Sequence, residues 1–337
     1  PYIVAYSGSF NTGNWWKTMA CHELNHAIQF AYGYSHEFWW WEATATWIEE
    51  YVYPAYNDWA DMTYVYSLVP YIGMNASAGN SNDQYLFYHT YAMAVWAFFL
   101  DEKVGGQELV EKTWQRSSLQ SGQYNYWMPE TIEDVGEDFD ELYLEFMATN
   151  ASMDYDEGQW FVEPELSDTV TNLPDSGEDS SSDRPQSLGQ NFIKFKKSAG
   201  EEGGTLRVSF DGENGPDWYA VLAKGSTSLA DYVVFDLDNS GEGVAEIDFD
   251  GDYDVFLVVS PKDEDAQGYS YNWNYADDYG YTWEAELVID DDGDDAGGDE
   301  AGESGSAGSD DGDGIGGDGD SDFLVCGCAA ASVEEGL

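Results

Sequence analysis

Four histidines occur in the 337-residue sequence, and two of them share one short run, His22-Glu23-Leu24-Asn25-His26. If this run is helical, residues four apart lie one above the other on a single face, so both imidazoles can reach one metal ion. Glu23 follows His22 directly and stands beside such an ion without being a ligand, where it can hold a bound water. A zinc ion there lowers the pKa of its water towards about 7. Glu23 can then take the water's proton and deliver it to a leaving amine. The chemistry implied is metal-assisted hydrolysis of an amide.

A catalytic zinc takes three protein ligands and keeps a fourth position open. The pattern with a glycine and a third histidine soon after the second would need them where Gln29 and Tyr32 stand, so it fails. His36 lies beyond the helix end and fits no standard spacing. The better third ligand is Glu42, in Trp41-Glu42-Ala43-Thr44-Ala45-Thr46-Trp47-Ile48-Glu49-Glu50. A helix carrying it can approach the first one closely because Ala43 and Ala45 are small. Glu49, two turns along the same face, is a candidate acceptor for a ligand imidazole. Cys21 points away from the metal face and reads as a buried thiol.

The elements that must position these residues are helical. Apolar periodicity predicts helices over 18–32, ending near Gly33, and over 38–51, stopping before Pro54. A nearly all-apolar helix follows over 85–103, closed by Gly105-Gly106, with two more over 107–118 and 139–150. Residues 2–6 look like one strand. Residues 163–187 carry three prolines and many Ser and Asp, which reads as a linker. From 188 to 288, short apolar runs separated by Gly, Asn, Asp and Pro have the spacing of an all-β sandwich. The fold class expected is therefore α+β.

Charge excludes more than it identifies. The chain holds 67 Asp+Glu against 11 Lys+Arg, a formal charge of −56. Phosphate binding needs clustered Lys and Arg, so nucleic acid is excluded as a partner and an anionic membrane surface is disfavoured. No apolar run is long enough to span a bilayer. Residues 290–322 concentrate 14 Asp/Glu and 11 Gly, which reads as a disordered acidic tail, yet the remainder is acidic too. The favoured reason is solubility at high salt. Asp248, Asp250, Asp252 and Asp254 alternate with apolar residues and raise a calcium (Ca2+) reading, but they miss the EF-hand spacing; a polar strand face is the better reading. The three cysteines build no disulfide framework, and Pro1 opens the sequence without a leader, as in a processed or truncated piece.

The run HELNH, a spacer of 15 residues and then WEATATWIEE resembles the gluzincin metallopeptidases, the thermolysin and aminopeptidase-N class. The resemblance implies His22, His26 and Glu42 as ligands of one Zn2+ and Glu23 as general base. Over residues 1 to about 288 the chain is similar to secreted bacterial metalloproteases of myxobacterial type. These pair a catalytic domain with a β-sandwich resembling the bacterial pre-peptidase C-terminal domain. Residues 91–105 are similar to their third helix. The likeness also implies a Tyr or His that donates to the developing oxyanion, for which Tyr91 and His89 are the candidates, with Tyr88 behind them. Cys326-Gly327-Cys328 after the Gly/Asp spacer resembles C-terminal sorting signals read by myxosortase-type processing enzymes.

The expected organisation is a mainly helical, zincin-type catalytic domain over 1–160, incomplete at its N-terminus. A linker over 161–187, a sandwich over 188–289 and the tail over 290–337 follow. The expected function is a secreted or cell-surface zinc endopeptidase of bacterial type, acting on a protein or peptide substrate. Two alternatives stand beside it. One is a cell-surface binding or adhesion protein with a structural or degenerate zinc site. The other is a metallo-aminopeptidase, which would need a pocket for a free α-amine.

Overall fold

Alternation, and its absence, sorts the strands by what covers them. In the computed structural model, which describes residues 15–33, 37–76, 84–118, 127–197, 203–250, 253–263 and 277–289, three strands alternate buried and exposed residues. They are β4 (Gly204–Gly212), β7 (Glu242–Phe249) and β9 (Tyr281–Val288). Together with β2 (Asp175–Glu178) they form a four-stranded sheet in the order β2-β9-β4-β7. By contrast, β5 (Asp217–Gly225) and β8 (Asp254–Lys262) are buried along nearly their whole length. They are central in a second sheet ordered β1-β3-β8-β5-β6, with β1 (Asp168–Val170), β3 (Asn191–Phe195) and β6 (Leu229–Val234). A strand covered on both faces must be apolar throughout. Leu222, Leu257 and Val259 pack with Leu206, Val208 and Trp283 of the other sheet, while Val221, Ala223, Phe256 and Val258 join the core of the helical layer.

That helical layer runs α1 (Trp15–Tyr32), α2 (Phe38–Val52), α3 (Trp59–Leu68), α4 (Gln84–Ala92), α5 (Ala94–Phe99), α6 (Gly106–Ser118), α7 (Met128–Val135) and α8 (Phe139–Ser152). The helix expected over 85–103 is broken at Met93 into α4 and α5 and runs on as a π-helical turn, Leu100–Gly105. Every residue of α5 is buried, which explains its unbroken apolar run. Two helices were not legible in advance. α3 mixes aromatic and β-branched residues without an amphipathic stripe. α7 is short, carries Pro129 in its first turn and ends on Gly136 in the left-handed region, φ 99°.

The segment expected as a linker supplies a strand to each sheet. β1 pairs in parallel with β3, and β2 runs antiparallel to β9. Residues 70–74 also hydrogen-bond along 186–190: Gln186 N to the Tyr71 carbonyl, Gln190 N to that of Pro70, and Met74 N to that of Leu188. Gly189 is required there, because a Cβ would lie 2.1 Å from the Tyr71 carbonyl oxygen. Behind this seam lies a buried polar cluster. Asn150 donates to Tyr66 (2.8 Å) and accepts from Tyr155 (2.7 Å), and Tyr66 donates to Gln190 (2.7 Å). Tyr143 meets Ser260 at 3.1 Å. Helices and sandwich therefore share one core and belong to one compact unit.

The Asp-rich strand fits the polar-face reading better than the calcium one: Lys224 Nζ lies 3.0 Å from Asp248 and 3.2 Å from Asp250, and Lys194 Nζ lies 3.1 Å from Asp254, so each of these carboxylates pairs with a lysine. The expected strand at 2–6, His36, Asp252, the acidic tail and the two C-terminal cysteines lie outside the described residues. Among the described residues no helix is long and apolar enough to cross a membrane.

Because Asn150 ties the two layers together, its loss should be felt in both. Asn150→Ala leaves the buried Tyr155 hydroxyl without its acceptor and takes away the donor to Tyr66, and is expected to cost about 1–3 kcal/mol. Urea unfolding followed by tryptophan fluorescence and by far-UV circular dichroism should shift as one coincident transition. Two separated transitions would show that the layers unfold independently.

Candidate metal centre

α1 and α2 pack side by side, and the chemistry sits in the seam. His22 and His26 present their Nε2 atoms to one oxygen, Glu42 Oε2, at 3.1 and 3.4 Å. Candidate ligand atoms of these three residues all lie within 4.8 Å of one another, so the group could hold a metal ion. α2 can carry Glu42 this deep because Ala43 and Ala45 beside it are fully buried and small. The edge-on contact of the two imidazoles, 4.8 Å between ring centres, follows from their placement four apart on one helix face.

Each imidazole is held from behind. His22 Nδ1 lies 2.9 Å from Glu49 Oε1, and His26 Nδ1 lies 2.7 Å from Gln29 Oε1. Glu49 was visible in the sequence as a candidate partner. Gln29 was noted there only as the residue that defeats another ligand pattern, although its position three residues after His26 was the available signal. Glu50 turns elsewhere and accepts from Trp59 Nε1 at 2.6 Å. Glu23 stands exposed on the same helix as the histidines. Cys21 is half-buried and directs Sγ to the Ile48 carbonyl at 3.9 Å, not to the metal group.

The two candidates for stabilising the developing oxyanion part company. Tyr91 stacks on His22, with 5.7 Å between ring centres and 19° between planes. Burial, then the neighbouring Glu42 and Glu23 carboxylates, hold its phenol above the usual range, so it keeps its proton. Tyr88 packs behind it with its ring tilted, 6.2 Å between ring centres. His89, two residues earlier, is turned to the other side of α4 and fully buried. Burial pushes its imidazole down to about 4, against the pull of the Ile72 and Ala76 carbonyls. His89 does not reach the centre, so its expected role is withdrawn.

Electrostatics tie the carboxylates to the imidazoles. Burial opposes charge on His22, but its hydrogen bonds to Glu42 and Glu49 prevail and raise it to about 9. Burial would likewise raise Glu42, yet the bonds from His22 and His26 bring it down to about 2. Burial raises Glu49 despite His22. Without metal, His22 is therefore an imidazolium below about pH 9, donating from both ring nitrogens.

No family model matches this chain, and no curated protein matches it. Among solved structures it is similar to the pre-peptidase C-terminal domain of the collagenase from Bacillus anthracis. The identity is 16% and the TM-score 0.22, over 36% of this chain and 95% of that one.

A metal ion must displace the proton from His22 Nε2 before that nitrogen can ligate. Zn2+ titration near pH 7.5 should release roughly one to two protons, and apparent affinity should climb as pH rises towards about 9. Calorimetry in buffers of different ionisation heat measures this. Binding without proton release would contradict the charge assignment.

Proposed function

We propose that the protein is a zinc-dependent metallopeptidase that hydrolyses internal peptide bonds of protein or peptide substrates. The observation that carries the reading is the convergence of two imidazole nitrogens on one buried carboxylate oxygen, each imidazole backed by its own hydrogen-bond partner. Two histidines and a glutamate are the donor set of hydrolytic zinc sites, and three ligands leave one position for water. His22, His26 and Glu42 would hold the ion. When bound, zinc supplies a Lewis acid that lowers the pKa of a water towards about 7 and polarises a carbonyl.

The remaining steps belong to side chains. Glu23, exposed beside His22 on α1, accepts the proton of the attacking water and passes it to the leaving amine. Tyr91, protonated and stacked on His22, donates to the oxygen on which negative charge develops. Glu49 and Gln29 keep the imidazoles oriented. The gluzincin resemblance of the sequence agrees with these roles and adds secretion or cell-surface exposure to the proposal.

Two variants test it on the full chain. Glu23→Ala should retain one zinc per chain and lose about 100-fold or more of casein hydrolysis; unchanged activity rejects Glu23 as base. Tyr91→Phe keeps the stacking ring, so zinc affinity should hold while kcat falls by roughly 100-fold. A wild-type protein that binds zinc but cleaves no unfolded substrate, with or without chelator, would favour a structural metal site.

A further inference from the structure

We infer that Gln29 is a positioning residue of the metal centre: its amide fixes which nitrogen of His26 is free to ligate and ties that histidine to the helix carrying Glu42. The inference rests on the metal-centre reading above and goes beyond it, because neither the histidine motif nor the downstream glutamate requires a glutamine here.

The argument begins with an amide that has no freedom. Gln29 is almost fully buried. Its Nε2 donates to the Trp41 carbonyl at 3.0 Å and to Thr44 Oγ1 at 2.9 Å, which uses both N–H groups. Thr44 Oγ1 itself donates to the Trp40 carbonyl at 2.8 Å, so towards Gln29 it can only accept. A carbonyl cannot donate either. The amide nitrogen must therefore face α2, and Oε1 must face His26 Nδ1, 2.7 Å away. Because Oε1 only accepts, Nδ1 of His26 carries its proton, and Nε2 is the nitrogen left to turn towards Glu42.

The same amide links the two helices at the right place. Trp41 is the residue before Glu42, and Thr44 lies two after it. Gln29 thus grips α2 on both sides of the Glu42 position while holding His26 on α1. His22 is backed by the Glu49 carboxylate and His26 by a neutral amide, so the two ligands are oriented by partners of different charge.

Gln29→Met and Gln29→Glu separate positioning from bracing. Both lose the donors to Trp41 and Thr44, but only the glutamate keeps an acceptor for His26 Nδ1. Zinc affinity, measured by competition with a chromophoric chelator, should weaken about 10–100-fold in Gln29→Met and far less in Gln29→Glu. In the zinc-loaded protein, the 15N-attached Nδ1 proton of His26 should be slow to exchange in wild type and in Gln29→Glu, and lost in Gln29→Met. Thr46→Val serves as control: Thr46 is buried on α2, its hydroxyl makes no hydrogen bond among the described residues, and its removal should leave zinc affinity unchanged.

Equal weakening in both Gln29 variants would mean that the residue only braces the helices, which overturns the inference. So would unchanged affinity in Gln29→Met. Should Gln29→Met fail to fold, Gln29→Glu alone decides, because loss of the slowly exchanging Nδ1 proton of His26 in that variant also overturns it. A wild-type chain that binds no zinc removes the metal-centre reading itself, a result distinct from the other three.

Discussion

A carboxylate withdrawn from water and set between two imidazoles is the constraint on which the helical layer depends. Burial alone drives Glu42 towards its neutral form, and only the bonds from His22 and His26 reverse that. The reverse holds for His22, which burial would discharge and which Glu42 and Glu49 keep charged. Neither helix can bury its polar face without the other, so α1 and α2 must pair in one register. Removing one partner would leave the rest of the cluster desolvated and unmatched, which is far more costly than never having built it. The arrangement that could hold a metal ion is thus also what makes the helix pair specific.

Around this pair the chain builds a frame that does not divide where composition changes. The central strands β5 and β8 serve two cores at once, one towards the helices and one towards the four-stranded sheet. The Asn150 cluster and the contact of Gly189 with Tyr71 close the seam with groups that could not remain buried if the layers parted. The sandwich is therefore part of the folding unit that holds the helices. A freely tethered module would not need such contacts.

How far the sequence could be read depended on how local each feature is. α1 and α2 were legible because Gly33 and Pro54 mark their ends, and β4 because its alternation reports one covered face. β7 was legible only at its end, as the polar strand face at Asp248, because small residues such as Gly243 and Ala245 blur the alternation before it. Prolines and serines over 163–187 read as a linker, but Pro164, Pro174 and Pro185 all fall outside β1 and β2, two short edge strands that each pair along one side only. Tyr91 and His89 could not be told apart in the sequence. They sit two apart on one helix and so face opposite ways, and only the packing of α4 decides which side meets His22.

By itself the sequence determined the donor types and the four-residue spacing of His22 and His26, since helical geometry turns that spacing into a shared face. It also supplied Glu42 and Glu49 as candidates on a second helix. Only the tertiary structure decided that Glu42 meets both Nε2 atoms, that Glu49 backs His22, and that Gln29 backs His26. These are contacts set by the distance and rotational phase of two packed helices. Local propensity does not carry that phase. It is fixed by what the other faces of α1 and α2 bury, and by an amide whose orientation is dictated from Trp41 and Thr44 across the seam.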